Sequence, residues 1–292
     1  MAHWQAYLQV DSVEGALQAL MADPSSAVIA GGTDLLLDMR QGRHPPVHAL
    51  VDVSAVAEMR QVLDAGEWIT LGAALPLNEI IAHPLISEHA QGLVEACELI
   101  GGPQVRNVAT LGGNVAHALP AGDGTIALLS LGGQAEIASP EGRRWVPIEA
   151  LFQGPGEPAF ERSREMIVSF RIPARNPREG SAFRRIMRPQ GVAIAILNMG
   201  VKLGLDDEDR VQQAGIALGP AGPTPLRCER AEAVLLGETL SVDLLKEASN
   251  AVLTQAQLRT SPHRATQSYR QHLVRILLER AVKAAFARAG GG

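Results

Sequence analysis

The chain has 292 residues, 46% hydrophobic and 20% charged, with a net charge of −5. That length holds roughly two domains, or three small ones. The acidic sign excludes a general nucleic-acid binder, which needs a basic face. Aromatics at 3% leave the core to Ala, Val, Leu and Ile and argue against base stacking on single strands. Glycine, at 29 residues, exceeds the usual share of about 7% without a G-x-y repeat, which suggests tight turns or backbone pressed against a ligand. Two cysteines, Cys97 and Cys228, are too few for a disulfide framework and fit a reducing compartment. They are also too few for an iron–sulfur cluster held by this chain alone. The start, Met1 to Gln5, lacks a basic, apolar leader, and no apolar run reaches ~18 residues, so a soluble, cytoplasmic chain is expected.

In chain order, Asp11-Ser12-Val13-Glu14 has the spacing of a capping box and opens a helix through Leu20, stopped by Pro24. Ala27 to Ala30 is a short buried strand, Gly31-Gly32-Thr33 a turn, and Asp34 to Arg40 a helix with Asp34 at its N-cap. Leu50 to Val53 is the next strand. Glu67 to Ala73 alternates as a strand, while Pro76–His83 and Ile86–Ile100 carry helical periodicity. Cys97 falls on the apolar side of the second of these and is expected in the core. Gly101 to Asp123 is rich in Gly, Asn and Pro without a period, and loops of that length are usually functional. A helix over Thr125–Leu131 follows, then strands near Ala135–Ser139, Arg144–Pro147 and Met166–Pro173.

Pro173 to Gly180 marks a boundary. Beyond it Ser181–Met187, Val192–Leu205 and Val211–Leu218 are predicted as long strands, the last two joined at Asp206-Asp207-Glu208-Asp209. Helices over Cys228–Leu236, Val242–Leu253 and Ala265–Arg288 complete an α+β pattern. From Arg264 onward six Arg or Lys face one acid, Glu279, so the last helix is basic: a solvated face, or a contact for an acidic partner.

Two glycine turns carry chemistry. Ala30-Gly31-Gly32-Thr33-Asp34 lies between a strand and a helix N-terminus, where free amides and the helix dipole can hold phosphate. Thr110-Leu111-Gly112-Gly113-Asn114, with Pro120 and Asp123 behind it, offers further amides and side chains, Asp123 being able to accept from a ribose or ribityl hydroxyl. Taken singly, each is also compatible with an ordinary turn. Gly154 to Ala159 matches G-x-G-x-x-A by letters, but it follows no strand and holds two prolines, so it is not a dinucleotide fingerprint. His44 and His48 are separated by Pro45-Pro46, which bars the helix that would converge them. No metal site and no catalytic side chain are assigned.

Together, A-G-G-T-D-L-L and T-L-G-G-N-x-x-x-x-x-P-x-x-D resemble the two FAD loops of the flavoprotein (medium) subunits of molybdenum hydroxylases, the xanthine dehydrogenase and carbon monoxide dehydrogenase type. The resemblance implies an α+β chain: a two-subdomain FAD-binding fold of the vanillyl-alcohol-oxidase/p-cresol-methylhydroxylase type, then a C-terminal domain with a three-stranded antiparallel sheet and helices. It implies subdomains over 1–55 and 56–178 and a C-terminal domain over 179–292. It places Ile29, Ala30, Gly31, Gly32, Thr33, Asp34 and Leu35 on FAD, with Gly31 to Asp34 at the pyrophosphate. The second loop would contribute Thr110, Gly112, Gly113, Asn114 and Ala116, with Asp123 at the ribityl or ribose. Ile100, Val105 and Ile167 would meet the isoalloxazine, and Arg184 stands where the family often has a basic residue.

His117, Leu119, Gly124-Thr125 and the acid-free stretch Met187–Val192 depart from the family pattern, which bears on the flavin environment and the acceptor rather than on FAD itself. His117 is expected either to touch the flavin or its phosphates or to bond loop backbone. The implied activity is electron transfer: from molybdopterin on a large subunit, through [2Fe–2S] clusters on a small subunit, to FAD here and on to an external acceptor, in a dimer of heterotrimers. A self-contained flavin oxidase or reductase, and a non-catalytic nucleotide-binding assembly subunit, are the other readings. The first predicts turnover by the isolated chain, the second no flavin absorbance.

Overall fold

The structure, a computed structural model, describes residues 3–188, 194–262 and 264–291. It is built on three main sheets. The first joins β1 (Trp4–Gln9), β2 (Ala27–Ile29) and β3 (Val47–Asp52) in the order β1-β3-β2, all parallel. Helices α1 (Val13–Ala22) and α2 (Leu35–Arg40) connect them. β1 is absent from the sequence expectation. It is an edge strand with almost every residue exposed, so it carries no buried alternation to read. Its Tyr7 hydroxyl donates to the Asp52 carboxylate at 2.7 Å, and that bond pushes the phenol up to about 12. The cap of α1 is one residue later than the box suggests: Ser12 Oγ accepts from the Gly15 amide at 3.3 Å.

The second sheet is antiparallel. It contains β4 (Val62–Asp64), β5 (Trp68–Gly72), β6 (Gln134–Ser139), β7 (Gly142–Pro147) and β10 (Met166–Pro173), ordered β4-β5-β10-β6-β7, with a small hairpin of β8 (Phe152–Gly154) and β9 (Glu157–Pro158) beside it. The rejected Gly154–Ala159 letter match does follow a strand, β8, contrary to expectation, but it leads into β9 and not into a helix, so it is still no dinucleotide fingerprint. Helices α3 (Leu77–Ala82), α4 (Pro84–His89), α5 (Gln91–Leu99), α6 (Pro103–Arg106), α7 (Leu111–Ala116) and α8 (Asp123–Ser130) lie between β5 and β6. The single helix expected over Ile86–Ile100 is two, broken at Ala90, where φ is −146°. The redirected chain brings Gly92 against β11 (Glu179–Met187): a Cβ there would stand 3.1 Å from the Ala182 nitrogen. The expected aperiodic loop Gly101–Asp123 holds α6 and α7, of four and six residues, too short for periodicity to register. Cys97 is fully buried on α5, and burial pushes its thiol up.

The third sheet is antiparallel, β11, β12 (Ala195–Leu205), β13 (Val211–Gly219) and β14 (Leu226–Arg227) in chain order. β14 adds a two-residue fourth strand to the three expected. The strand expected from Val192 is observed from Ala195, and Val192 lies outside the described residues. Every residue of β12 is buried because both faces are covered. Helices α9 (Glu229–Leu235), α10 (Val242–Gln255) and α11 (Gln267–Arg288) form a core with one side of the sheet. α8 covers the other side, so closely that a Cβ on Gly215 would stand 2.2 Å from the Ser130 carbonyl oxygen. Glu95 of α5 ties this junction together, accepting from Arg288, Arg184 and the Phe183 amide. Burial pushes its carboxyl up, but those bonds outweigh burial and hold it below the usual carboxylate range.

Candidate functional site

The two glycine turns meet. Gly31 packs its backbone on the second motif: a Cβ there would lie 1.9 Å from the Val108 carbonyl oxygen and 2.9 Å from Ala109 Cα. Its glycine is therefore required by the other loop. Gly32 supplies the positive φ, +65°, that turns the chain into α2. Gly112 abuts Ala73, leaving only 2.5 Å from a Cβ to its carbonyl oxygen. Gly113 alone of these four is open, with just Thr110 Oγ1 at 3.3 Å. Two close approaches, one special φ and one open position share the four glycines.

Around this junction runs one cleft of about 1820 Å³. Sixteen of the seventeen residues expected at the site line it, from Ile29 to Leu35 through Ile100, Val105, Thr110, Gly112, Gly113, Asn114, Ala116 and Asp123 to Ile167. Arg184 does not. Side chains alternate across a strand: Phe183 and Arg185 fall on one face, where Arg185 pairs with Asp123 of α8, whereas Arg184 pairs with Glu95 of α5 at 2.9 Å. Arg185 is the residue of this strand that reaches the cleft. The period-2 pattern around Phe183 held that signal, and a position-by-position resemblance passes over it.

The polar groups are arranged for a ligand. Among the described residues the amides of Gly31, Gly32, Thr33 and Asp34 donate to no other backbone group. Asp34 occupies the N-cap of α2 without capping it, contrary to expectation. Its carboxylate faces His117 Nδ1 at 3.6 Å, while His117 Nε2 lies 3.3 Å from Asp38. His117 thus links the two turns through acids, rather than bonding backbone. Thr110 caps α7, its Oγ1 accepting from the Gly113 amide at 3.0 Å. Asn114 Oδ1 and Ser26 Oγ, both in the cleft lining, are buried without a partner. Buried polar atoms are normally satisfied, so each of these two oxygens has acceptor capacity to spare.

Asp123 opens α8 almost fully buried. Its Oδ2 accepts from Arg185 at 2.5 Å and its Oδ1 from the Asn198 side-chain Nδ2 at 2.6 Å. Burial pushes this carboxyl up against the opposing pull of Arg185 and Asn198. Each carboxylate oxygen keeps a second lone pair for a hydroxyl donor. Arg106 donates to the carbonyls of Glu98, Ile100 and Gly101 and so pins the turn that presents Ile100 and Val105. Arg162 donates to the Ala116 carbonyl at 2.6 Å, and burial lowers its guanidinium. Arg162 and Asn198 escaped sequence reasoning because their partners, Ala116 and Asp123, are distant in the chain, and Arg106 and Ser26 because a single polar residue carries no pattern.

A row of free amides, unpartnered acceptors and an apolar wall are chemically suited to an extended dinucleotide with a planar ring. Residues 2–175 match the family described as the FAD binding domain in molybdopterin dehydrogenase, and residues 181–285 match the CO dehydrogenase flavoprotein C-terminal domain. The chain is 31% identical over 294 residues to the xanthine dehydrogenase FAD-binding subunit of Escherichia coli O157:H7, covering 100% of this chain and 99% of that one. It is 29% identical over 267 residues to the carbon monoxide dehydrogenase medium chain of Hydrogenophaga pseudoflava, covering 89% of each. A solved structure of carbon monoxide dehydrogenase from that organism superposes with a TM-score of 0.91 at 29% identity, over 97% of each chain. Two matched domains in this order, on this fold, make the chain a member of the FAD-binding medium subunits of the molybdenum hydroxylases.

Proposed function

We propose that this chain holds one FAD across the joined glycine turns and passes electrons from [2Fe–2S] clusters of a small partner subunit to an external acceptor. A large molybdopterin subunit would feed those clusters, in a dimer of heterotrimers. The observation that carries this is the packing of Gly31 on Val108 and Ala109, which makes one cleft of two motifs. FAD, when bound, supplies the redox chemistry, accepting and releasing electrons singly or in pairs. The chain binds and orients it. The amides of Gly31 to Asp34 hold the diphosphate, Thr110, Gly113 and Asn114 the second loop's contacts, and Asp123 a ribityl or ribose hydroxyl. Ile100, Val105 and Ile167 line the isoalloxazine end. The basic position assigned to Arg184 passes to Arg185, which lines the cleft.

The purified protein with its co-purifying chains is expected to be yellow and to contain a cluster subunit and a molybdenum subunit by mass. A colourless protein without FAD would sink the reading. Gly113→Val places its side chain in the open position, and FAD occupancy should fall while the thermal stability of the FAD-free protein stays close to wild type. Wild-type occupancy in that variant would show that the second loop does not contact the cofactor.

A further inference from the structure

The C-terminal wall of the cleft is strongly and asymmetrically basic. Arg259, Arg264 and Arg270 all line it. Arg270 sits in the first turn of α11 and is only 3% exposed. It donates to the Ile196 carbonyl, and its Nε is buried without a partner. Among the described residues no carboxylate pairs with any of the three. Burial, with Arg264 and Arg259 beside it, lowers the Arg270 guanidinium.

The surroundings add to the positive potential. The first turn of α11 contains no acid. A helix N-terminus favours anions, and a cation there is on the unfavourable end of the dipole. Buried charges are ordinarily paired, so an arginine at this place without a carboxylate leaves a charge for an outside anion to complete. The described residues beside Arg259 and Arg264 are tied down: the Gln257 amide donates to Ala221, Gln267 to Thr260 Oγ1, and Ser261 to Ala265.

This cluster belongs to the third sheet, not to the glycine turns. Asn198, which holds Asp123, and Ile196, which anchors Arg270, are two residues apart on β12, roughly 6–7 Å. The cleft, at about 1820 Å³, exceeds the ~300–1,000 Å³ of a one-ligand pocket. That volume exceeds what one drug-sized ligand fills and extends to the arginine wall.

We propose that Arg259, Arg264 and Arg270 form an anion subsite that takes a phosphate or diphosphate group of a second, diffusible ligand entering the cleft next to FAD. Guanidinium forks suit phosphate oxygens because they offer paired, charge-assisted hydrogen bonds. A small ligand is favoured over an acidic protein segment because Arg270 lies within the cleft wall, nearly closed to solvent. The second-ligand assignment rests on the FAD reading; the anion subsite does not.

The test uses the FAD-loaded protein in its purified complex, titrated calorimetrically with inorganic pyrophosphate at low salt. The charge-reversed pair Arg259→Glu/Arg264→Glu changes only exposed side chains, so it retains the fold. Its Kd for pyrophosphate should rise at least ~10-fold with flavin absorbance unchanged, and Arg270→Lys should weaken binding while keeping the charge. Absence of binding to wild type, or equal binding by the variants, overturns the proposal. So does pyrophosphate expelling FAD together with FAD loss in the variants, which would assign the arginines to the cofactor's own diphosphate. Binding by the free flavin subunit but not by the complex would assign them to a partner's acidic segment and likewise overturn it. A colourless wild-type protein that still binds pyrophosphate through these arginines would refute the FAD reading and uphold the anion subsite.

Discussion

Gly31→Ala puts one methyl group between the two turns. Its Cβ would fall 1.9 Å from the Val108 carbonyl oxygen, 2.5 Å from the carbonyl carbon and 2.9 Å from Ala109 Cα. Comfortable heavy-atom contact begins near ~3.5 Å, so the two backbones must part by about 1.5 Å. Neither obstacle is a side chain that can rotate aside. Overpacking of this kind costs ~1–3 kcal/mol, and a backbone-to-backbone clash belongs at the upper end, about 3 kcal/mol. At ~2–4 °C per kcal/mol for a chain of this size, the FAD-free protein should lose roughly 6–12 °C of apparent Tm. Affinity suffers separately, because the amides of Gly31 to Asp34 shift relative to Thr110 and Asn114. If the whole ~3 kcal/mol appeared in binding, FAD Kd would rise on the order of 150-fold. The assay is a thermal melt of FAD-free protein and a titration of flavin fluorescence. Gly113→Ala is the control. It meets only Thr110 Oγ1 at 3.3 Å and replaces a helical glycine, so its FAD-free Tm should hold or rise. Gly31→Ala with wild-type Tm and wild-type FAD affinity would refute the idea that contact between the turns builds the site.

Three further outcomes follow from the same geometry. Arg185→Met leaves the Asp123 carboxyl buried without its cation, which costs ~3–5 kcal/mol. Because burial already pushes that carboxyl up, protonation should relieve part of this, and Asp123→Asn/Arg185→Met should recover most of the lost Tm; Arg185 also donates to the Leu99 carbonyl at 2.7 Å, and no recovery would mean that it acts through that bond instead. Glu95 is held below the usual carboxylate range, so its contribution is present above the unfolded value of ~4.3 and lost as pH falls through the folded value. An acid-unfolding curve should therefore steepen below about pH 4 in wild type and flatten in Glu95→Gln. His117→Ala removes the link between α7 and the acids Asp34 and Asp38, and should raise FAD Kd several-fold with little change in FAD-free Tm; unchanged FAD affinity would make the link incidental.

Much of this fold was legible because its elements announce themselves locally. α1, β5, α8 and the long strands β12 and β13 carry buried faces or apolar runs that periodicity detects. The omissions have physical causes as well. β1 buries almost nothing, α6 and α7 are shorter than a periodicity window, and Ala90 interrupts a pattern that reads as one helix. The site divides in the same way. Residues from Ile29 to Leu35 and from Thr110 to Asp123 are neighbours in the chain and could be read as motifs. Arg185 required knowing which face of a strand Phe183 occupies, and Asn198 required the sheet to be assembled.

The glycines show most clearly what contiguity in sequence conceals. A Gly-Gly turn before a helix suggests backbone opened to a ligand, and that explanation would serve equally for Gly31, Gly32, Gly112 and Gly113. In the structure Gly113 alone of the four meets nothing nearer than 3.3 Å at its Cβ position, while Gly31 and Gly112 are glycine because protein backbone fills the space. The consequence reaches beyond classification. If Gly31 faced only the ligand, the first turn would hold its shape in any fold that kept a strand and a helix around it. Because Gly31 faces Val108, the free amides of the first turn are aimed by the second, and neither motif forms the cradle alone. The pairing of two weak motifs is informative for that reason: it reflects a contact, and the contact is what makes a single cleft out of two separate stretches of chain.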